Sequence, residues 1–273
     1  MAFIQSSDGT TIFYRDHGAG KPVVLIHGWC INCDSWEYVM GELPHHGIRC
    51  IAYDQRGCGR SDQPWTGYDY DRLADDLASL LESLDLTEAT LVGHSMGCGV
   101  IVRYLARHGK KRVARAVLVS TPTPFVQKTD DNPDGFDPVF YKGMIAALKK
   151  DRPDYIRSLT EAFFGVDGPA VSQGMKDWAF GLTLQAAPQA ALEMCATYFK
   201  TDQREELKSI DVPVLLIHGS ADQSTPLEIT GKKTHDMIPG SRLLVYEGEA
   251  HGLYITAAHR LNADLLDFIG PTA

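Results

Sequence analysis

Two kinds of apolar pattern alternate over the first 120 residues. Short runs of apolar and β-branched residues predict strands at 2–6, 11–15, 23–26, 48–53, 89–92 and 113–119. The first two flank Asp8-Gly9, a pair that favours tight hairpins. The run 23–26 is continuously apolar, as a strand covered on both faces would be. Between the strands, apolar residues recur at helical spacing. A helix capped by Asp34 or Ser35 is expected through Trp36, Tyr38, Val39 and Leu43. A second, over about 71–84, places Leu73, Leu77, Leu80, Leu81 and Leu84 on one face. A third, 98–108, carries Val100, Ile101, Tyr104 and Leu105. Strand–helix alternation of this kind predicts a mostly parallel sheet with helices on both faces.

The alternation stops at 121. Up to about 210 the chain shows helical stretches, among them 138–149, 154–164 and 190–199, and no strand. Strands return at 212–217 and 242–246, followed by a helix near 261–269. The expected organisation is a core in two parts, 1–120 and 211–273, with a helical cap at 121–210. An insertion between two strands of one sheet belongs over their carboxyl ends, where open α/β sheets bind ligands. The cap is rich in Phe125, Phe136, Phe140, Met144, Phe163, Phe164, Trp178 and Phe180. Most are expected to form its core and a minority to face an apolar pocket. Asp130, Asn132, Asp134 and Gly135 match half of a calcium loop, but Tyr141 stands where the bidentate glutamate is needed. An ordinary polar turn is expected there.

Composition narrows the function classes. With 44% hydrophobic residues among 273, a sizeable core is affordable, and 22% charged residues is ordinary for a globular enzyme. A formal net charge of −9 without long basic runs argues against nucleic acid or an anionic membrane surface as partner. No apolar run approaches the roughly 18 residues of a membrane span. Six cysteines are too few for a disulfide scaffold, and Cys30 and Cys33 form a C-x-x-C with no second pair. With no leader pattern at the start, a reducing cytoplasm is expected. A homo-oligomer is compatible with the sequence. No metal spacing occurs, so neither a metal nor another cofactor is expected.

Gly93-His94-Ser95-Met96-Gly97 carries the most chemical information. It matches G-x-S-x-G between a strand and a helix. A serine on so sharp a turn is lifted out of the sheet, and the flanking glycines avoid a clash. Serine becomes a nucleophile only when a base takes its proton, and the base needs an acid to fix its tautomer. Asp222 follows the strand 212–217 and His251 follows 242–246, giving the chain order Ser, Asp, His at one edge of the sheet. His94, His218 and His27 are weaker candidates for the base. His94 lies inside the turn, His218 precedes the acid, and His27 is better suited to bracing. The developing oxyanion needs donors, and the backbone amides of Met96 and Trp29 are the choice. The Trp29 indole could also serve as a pocket wall.

Five stretches together resemble the α/β-hydrolase superfamily across nearly the whole chain. They are Leu25-Ile26-His27-Gly28-Trp29, Asp54-Gln55-Arg56-Gly57-Cys58-Gly59-Arg60-Ser61, the Gly93–Gly97 turn, the Asp222 loop and Ala250-His251-Gly252. Within it the chain looks most like the cofactor-free haloperoxidase and arylesterase group. The resemblance implies an α/β-hydrolase fold with a helical cap, Ser95, Asp222 and His251 as a triad, and Trp29 and Met96 as oxyanion donors. It implies a carboxylesterase acting on small, fairly apolar esters, with perhydrolysis or lactone opening by the same triad as alternatives and a ligand receptor as a rival class. Many peroxidase-like relatives carry proline directly after the oxyanion residue, and Cys30 stands there in this chain, which points away from efficient peracid formation.

Overall fold

A computed structural model describes residues 2–165 and 171–270. In chain order the elements are β1 (Ala2–Gln5), β2 (Thr11–His17), β3 (Lys21–Ile26), α1 (Glu37–Met40), β4 (Ile48–Tyr53), α2 (Tyr70–Ser83), β5 (Ala89–His94), α3 (Met96–His108) and β6 (Val113–Val119). The helices α4 (Pro138–Phe164), α5 (Gln173–Leu184), α6 (Pro188–Lys200) and α7 (Arg204–Lys208) follow without an intervening strand. The chain then forms β7 (Val214–Gly219), α8 (Gly231–Met237), β8 (Arg242–Tyr246), α9 (Leu253–Thr256) and α10 (Ala258–Ile269).

Eight strands form one sheet in the order β1-β2-β4-β3-β5-β6-β7-β8. The β1–β2 and β2–β4 pairs are antiparallel, and every pair from β4 to β8 is parallel. This is the α/β-hydrolase fold. Alternation along β3 explains the two layers. Val24 and Ile26 pack with Leu73, Leu77 and Leu80 of α2 and Val100 and Ile101 of α3. Val23 and Leu25 pack on the opposite face with Leu261 and Leu265 of α10. From β3 the chain steps outward to β4, then returns to β5 on the other side of β3. The reversal leaves a crevice at the carboxyl ends of β3 and β5, where ligands bind in open α/β sheets. Trp29 and Ser95 both lie just beyond those ends.

Two local expectations need correction. No regular helix capped by Asp34 or Ser35 follows Trp29. The Asn32 side chain caps a 3₁₀ turn at Cys33–Trp36 by accepting from the Asp34 amide, α1 lasts four residues, and a second 3₁₀ turn covers Leu43–His46. Pro44 offers no N–H to a continuing helix, and Gly47 closes the turn at φ 72°. In the insertion, 138–149 and 154–164 join into one run that breaks at Asp151 (φ −156°, ψ 87°), two residues before Pro153. Arg152, at that break, donates to the carbonyls of Ala186 and Leu184 and so ties α4 to the end of α5. Among the described residues no helix is long and apolar enough to cross a membrane.

Candidate active site

Ser95 stands between β5 and α3 with φ 50° and ψ −122°. That left-handed φ is unusual for a side-chain-bearing residue and fits a strained nucleophile turn. The need for glycine on either side is steric. A Cβ at Gly97 would lie 2.5 Å from the Ile26 carbonyl oxygen, and one at Gly93 would lie 2.7 Å from the Cys98 nitrogen. The Ser95 amide donates to the Val119 carbonyl (2.9 Å), fixing the turn to the neighbouring strand.

Asp222 and His251 meet at the carboxyl edge of the sheet. His251 Nδ1 is 2.8 Å from Asp222 Oδ2, and both side chains are buried. A carboxylate only accepts, so Nδ1 carries the proton and Nε2 is left as the basic nitrogen. The remaining acceptor sites of Asp222 are also used. Its Oδ1 accepts from the amides of Ser224 and Thr225, both at 2.9 Å, and its Oδ2 from the Thr225 hydroxyl at 2.9 Å. Burial alone would push this carboxyl up. The His251 ring outweighs it, by charge and by hydrogen bond, with help from His218 and the Thr225 amide, and the pKa falls to about 2.

Sequence reasoning missed Thr225, whose hydroxyl also lies 3.3 Å from His251 Nδ1. The available signal was the spacing itself: an Asp followed two and three residues later by Ser and Thr forms an Asx-type turn that returns its own amides to the carboxylate. His218, judged too early in the chain to be the base, lies behind the acid. Its Nε2 is 2.7 Å from the Thr225 carbonyl and 3.5 Å from Asp222 Oδ2. It braces the loop that carries Asp222. His27 braces as well: its Nδ1 donates to the Gly28 carbonyl, and its Nε2 accepts from the Gln55 amide.

Above Ser95 lies a pocket of about 420 Å³. Ser95, His94, His251, Gly28 and Trp29 form its floor, and α4, α5 and α6 supply most of its walls. Five of the eight large apolar residues singled out in the insertion, Phe136, Phe140, Met144, Phe163 and Phe180, line it. The expectation that only a minority would do so is therefore corrected. One layer of helices arched over a hole encloses little interior of its own, so apolar side chains of the insertion turn towards the hole. Among the described residues, the titratable side chains that line this pocket are histidines and tyrosines.

The Trp29 indole is part of the wall and donates to the Ala191 carbonyl of α6 at 2.9 Å, tying the loop after β3 to the insertion. Among the described residues, the backbone amides of Trp29 and Met96 donate to no backbone carbonyl. Cys30 sits at φ 58°. A proline ring, locked near −65°, cannot enter the loop in this conformation. Burial pushes the Cys30 and Cys33 thiols up, away from thiolate chemistry. Among the described residues no cluster of three or more His, Cys, Asp or Glu could hold a metal. The half calcium loop is a turn in which the Asn132 side chain donates to the carbonyls of Phe125 and Gln127.

A family model described as the alpha/beta hydrolase fold matches residues 21–258. The chain belongs to the α/β-hydrolase family. Its relatives include a non-heme chloroperoxidase of Streptomyces lividans, 43% identical, covering 98% of this chain and 99% of the relative. A bifunctional esterase/perhydrolase of Acinetobacter calcoaceticus is 37% identical with the same coverage. The crystal structure of a bromoperoxidase from Bacillus anthracis superimposes with a TM-score of 0.95 at 38% identity, over 98% of this chain and 99% of that one. Within the family the chain thus falls in the non-heme haloperoxidase-like group.

Proposed function

We propose that this hydrolase is a serine carboxylesterase for small, fairly apolar esters. His251 Nε2 takes the Ser95 proton as Oγ attacks the ester carbonyl, and Asp222 steadies the imidazolium that forms. The amides of Trp29 and Met96 receive the oxyanion, Met96 from the first turn of α3, where the helix dipole also favours negative charge. The tetrahedral intermediate collapses, the alcohol leaves with the proton from His251, and water resolves the acyl-Ser95 by the same steps in reverse.

The observation that carries this reading is a pocket that holds Ser95 and His251 together, with the buried Asp222 on the far side of the imidazole. Its largely apolar walls favour an uncharged substrate, because a carboxylate or ammonium buried there would lose hydration and meet no oppositely charged side chain among the described lining residues. Both the bifunctional esterase/perhydrolase and the esterase from Exiguobacterium antarcticum, whose structure matches with a TM-score of 0.94 at 34% identity, bear names that agree with it.

A second activity, peracid formation with peroxide replacing water at the acyl-enzyme, is supported by the chloroperoxidase and perhydrolase names of the relatives. The conformation at Cys30 weighs against its being the main one. Hydrolysis of p-nitrophenyl esters of increasing acyl length, with a peroxide assay alongside, tests both. Hydrolysis should dominate, and Ser95→Ala should abolish both activities together, with a loss on the order of 10⁴ to 10⁶ in kcat. An alanine variant that keeps more than a few per cent of the turnover would refute the assignment of the nucleophile.

A further inference from the structure

The peptide unit that joins His251 to Gly252 is held from two sides. Its carbonyl accepts from Nε2 of His94, in the nucleophile turn, at 2.9 Å. Its N–H donates to the carbonyl of Phe163, in the last turn of α4, at 2.6 Å. Each bond has a local cause. Because a carbonyl only accepts, His94 carries its proton on Nε2, while its Nδ1 is buried without a partner against Gly28. Burial first, then the neighbouring His251, holds His94 neutral, with its pKa well below the ordinary value. The Phe163 carbonyl is one of the helix-end acceptors that α4 cannot satisfy internally, and the Gly252 amide fills it.

Side chains close the same contact. The Phe163 ring meets His94, His251 and Tyr254 edge-on, with centroids at 6.1, 6.0 and 6.3 Å, and His94 lies 4.8 Å from His251. Gly252 has φ −82° and ψ 18°, a backbone open to any residue. Space, rather than conformation, demands glycine: a Cβ would lie 2.6 Å from Phe163 Cε1 and 3.0 Å from its carbonyl oxygen.

We propose that Phe163 and His94 are positioning residues that clamp the peptide after His251, so that the seating of the insertion sets where the base stands relative to Ser95. The insertion then contributes to the rate of bond making as well as to the pocket. This rests on the reading of Ser95, His251 and Asp222 as the reacting set. A misplaced base loses catalysis steeply, since proximity and orientation carry much of the rate.

The test is a double-mutant cycle read on p-nitrophenyl acetate, whose acyl group is too small to need the distal walls, and on the octanoate ester. Gly252→Ala should lower kcat on the acetate by about tenfold or more with KM little changed. Adding Phe163→Ala should restore about threefold over Gly252→Ala alone, because the ring that the new methyl displaces is gone. Recovery is partial, since the carbonyl remains. Melting temperatures confirm that each variant is folded. His94→Gln, which can still donate to the His251 carbonyl, should keep more of kcat than the ring-shaped His94→Phe, and this pair decides the matter if Gly252→Ala does not fold. Additive effects in the cycle, a Phe163→Ala defect confined to KM on the octanoate, or equal losses in the two His94 variants would overturn the clamp. Failure of the underlying reading shows separately, as acetate hydrolysis that survives Ser95→Ala.

Discussion

The sheet and the helical insertion solve different problems with the same apolar residues. In the sheet, apolar side chains face other apolar side chains. β3, β5 and β7 are buried along most of their length, and the charged groups of the interior are paired. The carboxylate of Asp222 has four close donors, and the guanidinium of Arg56 is held in the interior by Asp76 at 2.6 Å and by Asp8 at the rim. In the insertion, apolar side chains face a space of about 420 Å³, and Val139 and Phe140 are largely exposed. On the proposed reading, the reacting groups sit on the sheet and the surface that selects among substrates sits on the insertion. The proposed clamp at Gly252, where the Gly252 amide meets the Phe163 carbonyl, is where the two parts touch beside His251.

Substitutions that break this contrast should differ in kind as well as in size. Asp222→Asn, in the rigid part, should lower kcat by about 10⁴ on every ester tested, because an amide can fix the wrong tautomer of His251. A loss that depends on acyl length would contradict it. The same residue fixes a pH dependence. The Asp222 pKa drops from 3.8 to about 2 in the folded protein, so the stability that its charge contributes is complete above about 4 and lost as pH falls through about 2. The melting temperature of the wild type should therefore fall more steeply across that window than that of Asp222→Asn, and equal slopes would count against the shift.

Arg56→Met tests the rigid part without touching the pocket. Arg56 and Asp76 are both about 1% exposed, and removing one partner strands the other charge. A loss of about 3–5 kcal/mol in unfolding free energy is expected from urea titration, with little change in kcat while the protein remains folded. A change below about 1 kcal/mol would show that the pair is replaceable. Leu159→Trp, in the pocket wall, should have the smallest and most selective effect. It should reduce kcat/KM for octanoate by roughly tenfold while leaving acetate within about twofold, as a filled pocket costs a long chain a few kcal/mol at most. Equal losses on both would mean that Leu159 acts on the machinery rather than on the pocket.

The same contrast explains what could be read in the chain. Strands at 48–53 and 113–119 stand within the bounds set by their apolar runs, because burial over most of their length leaves little choice of residue, and the edge strand at 242–246, of which only Tyr246 is buried, keeps its bounds as well. The meeting of Asp222 with His251 was legible from loop position alone, since strand ends in a parallel sheet bring distant loops to one edge. The direction in which Phe140, Met144 and Phe180 point was not legible, because helical periodicity says which residues share a face and not whether that face meets protein or a hole. The Asn32 cap was hidden for a related reason: Asn32, Asp34 and Ser35 are all able caps, and only the path of the chain out of Cys30 at φ 58° selects the first. The role of Gly252 depends on a contact with Phe163, 89 positions earlier, and no local pattern could announce it.

The central claim is that Ser95, on the rigid part, is the nucleophile activated by His251. It is tested most directly by treating the folded protein with a small fluorophosphonate and locating the adduct by peptide mass spectrometry. Stoichiometric modification of Ser95 in the wild type, its absence in Ser95→Ala and strong slowing in His251→Ala are the expected results. A wild type that stays unlabelled while hydrolysing esters, or an adduct on another residue that persists in Ser95→Ala, would contradict the claim.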